Sequence, residues 1–461
     1  MEEKIIRSLG IDLSPGFASI SYMEEKGSVP VSMSICVDDE KYMIPMLLYK
    51  KENTGEWLAG DEAGFAAKNG RPENLADRID LLFQQQEVKY IEGKEYSGET
   101  LLQEYIRILF RKARERIGFT TVNHIIVTSD SPDIRLKHLV SGLFQTLGFA
   151  KEKIHVKTHT ETYVSYVLCN KREIWANDVT LFRMDENEFI CQNITKRRVK
   201  NGLVIFVEEE NLTGRISYNM LKTKSGREQA DDILLSYLQE DYKTHIVSCV
   251  FFTGIGFYDN WYRKSAAEIC RRRKAFKGMN LFADGAAVSI QDEEYKDILI
   301  LCEGKTLLNI GILIEKEGNE EEFSMLRAGQ SWTESHNSQE LIVDDISHVS
   351  LVISSPFQEE RQLIEVDFDE FPQRRDKTMC IEVELGYVNE KSFEITISDK
   401  GFGPFFASSG KKIRKRISLK RQEEKNERIN FDGKKTRCRV LCEKFRYGSY
   451  IHGRTLLLYL S

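Results

Sequence analysis

Two short turns in this chain carry side chains that could handle a phosphorylated ligand. The first reads Asp12-Leu13-Ser14-Pro15-Gly16, an acid followed by a hydroxyl and a glycine. The second reads Arg183-Met184-Asp185-Glu186-Asn187-Glu188, one cation beside three acids. A phosphate cradle needs backbone N–H groups that approach the ligand closely. That favours glycine, and small hydroxylated side chains complete the cradle. Hydrolysis there also needs carboxylates that hold Mg2+ through water and orient the attacking water. Glu161, in HTETYVSY, offers another carboxylate, and Gly254 and Gly256, in FTGIGF, offer another glycine turn.

The same turns also carry features that oppose this chemistry. Pro15 removes a backbone donor from the first. In the second, Asp185, Glu186 and Glu188 would bring carboxylates towards a triphosphate. One such repulsion at about 4 Å costs roughly 4 kcal/mol at an effective dielectric of about 20, on the order of a thousandfold in affinity. Arg183 would offset part of this by pairing with a phosphate.

The elements that must position these residues read as alternating strands and helices. LGIDL and ASISYM flank the turn at Ser14-Pro15-Gly16, a hairpin pattern. VNHIIVTS is short, apolar and β-branched, as a buried strand is. Before it, Leu102, Tyr105, Ile106, Leu109, Ala113 and Ile117 form one helical stripe, with Ser97 to cap it and Gly118 to stop it. Residues 134–147 repeat the pattern. DVTLF and EFICQNI form a second hairpin around 183–187, 247–253 a second buried strand, and 260–274 a helix capped by Asp259. The same order of events thus occurs twice, as two α/β lobes facing a cleft, 1–170 and 171–291, with no sequence identity to speak of between them. Ligands of such folds sit at the carboxyl ends of the strands.

From about residue 297 the character changes. Seven short runs, from DILILC to KSFEITISD, read as strands, several alternating apolar and polar residues. They predict an all-β sandwich domain over 297–410. Residues 411–461 read as a basic tail: 16 Lys/Arg against 5 Asp/Glu is a net of +11, which leaves −17 on the remainder of a chain whose net charge is −6. Such a tail is a solvated segment beside an acidic body, or a contact for nucleic acid or an anionic surface. The final TLLLYL reads as a strand in want of a partner.

Hydrophobic content of 41% and charged content of 30% are those of a globular chain. No apolar run is long enough for a membrane span. Nine scattered cysteines without a CxxC pair, and a start, MEEK, unlike a secretory signal, point to a cytoplasmic setting. Three other signals carry less. Gly304-Lys305-Thr306 lacks the leading glycine of a P-loop, with Leu299 in its place, and reads as a turn. His155 and His159 lie on a strand and its loop and read as structural. Cys438, Cys442 and His452 lack a fourth ligand at zinc spacing.

Taken together, LGIDLSPGFASISYM, IPMLLYKKENTGEWLAGDEA, HIIVTSDSPD with HTETYVSY, and FFTGIGFYDNW with NLFADGAAVSI resemble the nucleotide-binding domain of the seventy-kilodalton heat-shock chaperones, a branch of the actin-like ATPases. DILILC resembles their interdomain linker, and MCIEVELGYVNEKSFEITISDKGFG the late strands of their peptide-binding β-domain. The likeness covers roughly residues 9–410. It implies an actin-like (ribonuclease-H-like) two-lobed α/β domain over 1–291 followed by the β-sandwich, with ATP or ADP and Mg2+ as cofactors if the site works. It makes Asp12 a ligand of metal-bound water and Glu161 the acid that polarises water. Ser14, Gly16, Arg183, Gly254 and Gly256 would line the nucleotide. The chain departs from the family in the second turn, where an aspartate and a run of glycines are replaced by Arg183 and acids. The expected function is therefore a pseudo-ATPase, chaperone-like, that binds polypeptide or a partner protein through its β-domain. An active ATPase with a rebuilt site and an actin-like scaffold or assembly protein are the alternatives.

Overall fold

The computed structural model describes residues 4–34, 41–52, 54–130, 132–199, 202–290, 298–316, 319–344, 346–356, 361–372, 374, 377–389, 391–419 and 457–460. The chain divides into two compact units, Met1–Ile298 and Leu299–Ser461.

The first unit is built twice on one plan. In its first half, Ile5–Ser14 and Phe17–Met23 form an antiparallel hairpin that Val31–Ser32 extends. Thr121–Ser129 and Ile154–Thr158 add in parallel on the other side of Ile5–Ser14. In the second half, Asp178–Met184, Phe189–Val199 and Gly202–Asn211 run antiparallel, and Val247–Thr253 and Lys274–Lys277 add in parallel. Numbered within each half, these strands lie in the order 5-4-1-2-3 both times. The helices repeat as well. Gly98–Ile117 and Lys224–Asp241 precede the fourth strands, Ile134–Thr146 and Arg263–Cys270 link fourth to fifth, and His159–Cys169 and Leu281–Val288 follow the fifth.

Local sequence accounts for much of this. Ser97 Oγ accepts the Thr100 N–H, Gly118 ends the helix in the left-handed region, and the predicted stripe from Leu102 to Ala113 is buried against the first sheet. Asp133 caps the next helix by accepting the Leu136 N–H at 2.9 Å. The helix expected over 260–274 is shorter, Arg263–Cys270, and Asp259 does not cap it. Arg271-Arg272-Arg273 follow its end, and Lys274–Lys277 becomes the fifth strand, its pairing beside Val247–Thr253 overriding helical spacing.

The second unit consists of two antiparallel sheets that share one apolar core. One runs in the order Asn319–Leu326, Asn309–Lys316, His348–Ser354, Arg361–Asp367. The other runs Lys412–Ser418, Ser392–Gly401, Met379–Asn389, His336–Asp344, Leu457–Leu460. Ile310, Ile312 and Leu351 from the first sheet meet Ile381, Val383 and Ile395 from the second in the core. The unit does not stop at residue 410. Lys412–Ser418, expected in the tail, is an outer strand, because alternation of its bases with Ile413 and Ile417 lets one face meet the core. The final apolar run finds its partner in His336–Asp344. Residues 420–456, with Cys438, Cys442 and His452, lie outside the described residues, as does Asp297 of the linker. At Gly304-Lys305-Thr306, the Thr306 hydroxyl donates to Arg327 O at 2.7 Å, as a structural turn would have it. No helix among the described residues is long and apolar enough to cross a membrane.

Candidate functional site

The carboxyl ends of the two central strands of the first unit, Ile5–Ser14 and Asp178–Met184, bring Asp12 and Arg183 to one place. Asp12, Ser14, Arg183, Asp185 and Gly254 line one small cavity, closed at the back by Phe282. Gly256 lines its larger neighbour.

Asp12 is buried, and both its oxygens are engaged. Oδ1 lies 2.7 Å from His159 Nε2, and Oδ2 accepts from the hydroxyls of Ser14 at 2.9 Å and Ser19 at 3.4 Å. His159 is not in a loop. It is the first residue of the helix that follows the fifth strand, and its ring stacks on Phe282 with centroids 4.0 Å apart. Its Nδ1 is buried and lies 3.7 Å from Asp130 Oδ1. Burial works against a charged imidazole here, but the Asp12 and Asp130 carboxylates outweigh it and raise the His159 pKa.

Arg183 completes the row. Its guanidinium lies 2.9 Å from Asp130, 3.4 Å from Asp185 and 3.5 Å from Glu188, with only 6% of the side chain exposed. Burial alone would lift the Asp130 carboxyl; His159 and Arg183 hold it at about 2. Burial raises the Asp185 pKa despite Arg183. The third acid of that turn, Glu186, lies 3.5 Å from Arg78, which also grips Asp80 at 2.9 Å. Asp80 in turn accepts the Gly16 N–H at 3.0 Å. The donor expected to meet a phosphate thus already meets a carboxylate of the chain. The result is two sets of paired charges, one around Arg183 and one around Arg78, with a cavity of about 20 Å3 beside Asp12, Arg183 and Asp185. That is room for about one water.

Glu161 stands apart from both sets. Its Oε2 accepts the Thr158 N–H at 2.8 Å while Thr158 Oγ1 accepts its own N–H, a reciprocal capping box. Gly254 and Gly256 owe their identity to packing. Gly254 has φ +88°, and a Cβ there would stand 2.4 Å from Met184 O; one on Gly256 would stand 2.4 Å from Met184 Cγ. Asp130 and His159 were not singled out as site residues by sequence. Their signal in the sequence is position, since each directly follows a parallel strand at whose carboxyl end ligands gather.

Beside the small cavity lies a larger one of about 600 Å3. Phe17, Tyr218, Tyr258 and Trp261 give it aromatic walls, and Lys222 and Arg227 give it cations, Arg227 lying 3.6 Å from Asp259 of the same lining. Trp261 is fixed by donating to Gly256 O at 2.7 Å. The volume falls in the range of small-molecule sites, roughly 300–1,000 Å3.

Residues 29–303, more than half of the chain and including all of this site but the first hairpin, with Asp12, Ser14, Gly16, Phe17 and Ser19, match the family described as family of unknown function (DUF5716), C-terminal. The chain belongs to that family. Residues 305–419 match a domain of unknown function, DUF8552, so the two matches meet close to the boundary between the compact units and the second includes the strand Lys412–Ser418. No curated protein matches the chain. Membership of the DUF5716 family therefore brings no assigned chemistry, and the site stands on its geometry.

Proposed function

We propose that this DUF5716 member keeps the two-lobed plan of an actin-like, heat-shock-chaperone-like domain without its ATPase. It works as a pseudo-ATPase scaffold whose β-rich unit, of sandwich type, binds polypeptide or a partner protein. The repeated 5-4-1-2-3 strand order, with matching helices, supports the actin-like, ribonuclease-H-like part of this reading. The observation that carries the loss of hydrolysis is Arg183. Its guanidinium occupies the turn that would hold phosphates and is neutralised there by Asp130, Asp185 and Glu188. Asp12, the expected ligand of metal-bound water, is committed to His159, Ser14 and Ser19. A cavity of about 20 Å3 does not fit a triphosphate with its metal. The residues present therefore do not suit ATP with Mg2+. The larger aromatic cavity suits a nucleoside-sized ligand better. In the β-rich unit, the exposed Phe402, Phe405 and Phe406 of one loop offer apolar contacts to a polypeptide.

Calorimetric titration of ATP and ADP with Mg2+, alongside a phosphate-release assay and anisotropy of labelled unfolded peptides, tests the reading. Expected are no phosphate release, no Mg2+-dependent affinity, and saturable peptide binding. Dissociation constants for MgATP below about 10 μM, near −7 kcal/mol, with phosphate release abolished by Asp12→Ala and by Glu161→Ala, would overturn the pseudo-ATPase. Peptides that never bind would remove the chaperone-like half.

A further inference from the structure

The two sheets of the second unit end in outer strands of opposite charge. Asn319–Leu326 closes the four-stranded sheet with Glu320, Glu321 and Glu322 in a row. Lys412–Ser418 closes the five-stranded sheet with Lys412, Arg414, Lys415 and Arg416, all exposed. The strands also match in phase. Ile413 and Ile417 pack on the core, so Lys412, Arg414 and Arg416 face solvent. Phe323 and Met325 pack on it likewise, so Glu320, Glu322 and Ser324 lie on the opposite face, Glu320 and Ser324 exposed and Glu322 half-buried.

Their backbones agree as well. Leu419 N–H donates to Lys391 O and Asp399 N–H donates to Lys411 O, so the odd-numbered residues of the basic strand turn their backbone groups inwards. Lys412, Arg414 and Arg416 therefore turn theirs to the outer edge, which no strand among the described residues pairs. On the acidic strand, the tight connection at Lys316↔Asn319 begins the ladder with an inward pair. The alternation then turns Glu320, Glu322 and Ser324 to the open edge.

We propose that copies of this chain associate head to tail through these strands, the acidic edge of one pairing antiparallel with the basic edge of the next. Glu322 lies opposite Arg414, which sets Glu320 opposite Arg416 and Ser324 opposite Lys412 on the solvent face. On the other face Glu321 meets Lys415 and Phe323 meets Ile413. The parallel alternative that keeps Glu322 beside Arg414 sets Glu321 against Ile413 and Phe323 against Lys415, and loses both contacts. Charged edge strands ordinarily discourage pairing. Here the discouragement falls on identical edges alone: two acidic or two basic strands repel, while the mixed pair attracts. The present partners of these groups do not bar the exchange. Glu322 with Arg361 at 3.2 Å and Arg414 with Glu394 at 3.3 Å each have one well-exposed arginine and little net strength, and Arg416, which donates to Ser392 Oγ at 2.9 and 3.2 Å, has a neutral partner on its own sheet. A contact between two different edges is heterologous, so it builds rings or open chains, not a closed two-fold dimer. The proposal goes beyond the pseudo-ATPase reading and does not depend on it.

The test uses the full chain in size-exclusion chromatography with light scattering, at about 20 mM and about 500 mM salt, which bracket strong and weak screening. Mass is expected to rise with protein concentration at low salt and to fall back at high salt. The triple variants Glu320→Lys/Glu321→Lys/Glu322→Lys and Arg414→Glu/Lys415→Glu/Arg416→Glu should each be monomeric, and an equimolar mixture of the two should associate again. Under mild oxidation, Glu322→Cys/Arg414→Cys should form an intermolecular disulfide ladder that the register-shifted Glu322→Cys/Arg416→Cys and the parent chain do not. A monomer at every concentration without cross-links overturns the proposal, as when residues 420–456 of the same chain cover the basic strand. Association that ignores both charge reversals overturns it equally.

Discussion

The Arg183 guanidinium lies 2.9 Å from the Asp130 carboxylate, and this pair ties the first strand of the second sheet to the end of the fourth strand of the first. Each sheet sends its strand ends to the same place, where a ligand's charge would otherwise unite them. In this chain the union is internal. Asp130 also faces His159, which reaches Asp12 at 2.7 Å, so acid, imidazole, acid and guanidinium form one row across the two halves.

Loss of Arg183 should therefore cost stability in the absence of any ligand. Arg183→Ala leaves Asp130, Asp185 and Glu188 facing one another. Breaking a buried pair costs about 3–5 kcal/mol, and the low end is expected because Asp130 is 44% exposed. Urea unfolding followed by tryptophan fluorescence reports chiefly on the first unit, since Trp57, Trp175 and Trp261 lie there. Asp130→Ala combined with Arg183→Ala should cost less than the sum of the single changes; additive losses would mean that the pair is not coupled.

Gly254, in the turn after the strand Val247–Thr253, makes a similar distinction. If Gly254 were retained for a nucleoside, Gly254→Ala would leave the unliganded fold intact. Its φ of +88° and the 2.4 Å approach of a Cβ to Met184 O instead predict a loss of about 1–3 kcal/mol without ligand. Gly16→Ala is the control. Its φ is also positive, at +79°, but the nearest atom to a new Cβ is 3.5 Å away on the flexible Arg78 side chain, so the loss should be near 1 kcal/mol, about that of the backbone alone. Equal losses at the two positions would count against the packing argument.

Much of this framework was legible in local sequence, because caps and periodicity act over a few residues. Ser97, the stripe from Leu102 to Ala113 and Gly118 fix one helix between them. The apolar runs around Pro15-Gly16 fix the first hairpin. The strand Lys274–Lys277 was not legible: its four residues carry no strand pattern, and only the parallel neighbour Val247–Thr253 makes them one. The site was half legible for a related reason. Asp12, Ser14 and Arg183 stand in turns that sequence marks, whereas Asp12 and His159 are 147 positions apart and no motif joins them. The bases after residue 410 read as a tail because charge count masks alternation. The apolar partners of Ile413 and Ile417 lie on other strands.

In the second unit, one buried ion pair sets an acid limit. Asp399 accepts from Arg374 at 2.9 and 3.1 Å, from the Gly401 N–H at 2.9 Å and from the Ser409 N–H at 2.8 Å. Burial would raise its pKa, but Ser409, Arg374 and Gly401 hold the folded-state value at about 2, below the ordinary 3.8. A depressed folded value stabilises above the ordinary one, so the contribution is complete above about pH 4 and is lost as pH falls towards about 2. Hydrogen exchange of the strands Met379–Asn389 and Ser392–Gly401 should accelerate over that window, beyond the intrinsic pH effect, in the parent chain. In Asp399→Asn protection should be weaker at neutral pH and flat across the same window. A parent chain whose protection does not change between pH 4 and pH 2 would contradict this.

The order of ligand affinities separates a filled cradle from a working one. In an ATPase the β- and γ-phosphates and their metal add affinity. Here they would meet Asp185, Glu186 and Glu188 around an Arg183 that is already neutralised. The aromatic walls and the cations Lys222 and Arg227 lie in the neighbouring cavity of about 600 Å3. Adenosine and its monophosphate should therefore bind at least as well as ATP, with Mg2+ making no difference. Quenching of Trp261, which lines that cavity, should report the binding. Arg227→Glu should weaken the monophosphate at least tenfold, about 1.4 kcal/mol, and leave adenosine nearly unchanged. Tighter binding of MgATP than of the monophosphate would mean that Arg183 releases its acids to take a phosphate, and the cleft would have to be regarded as a working one.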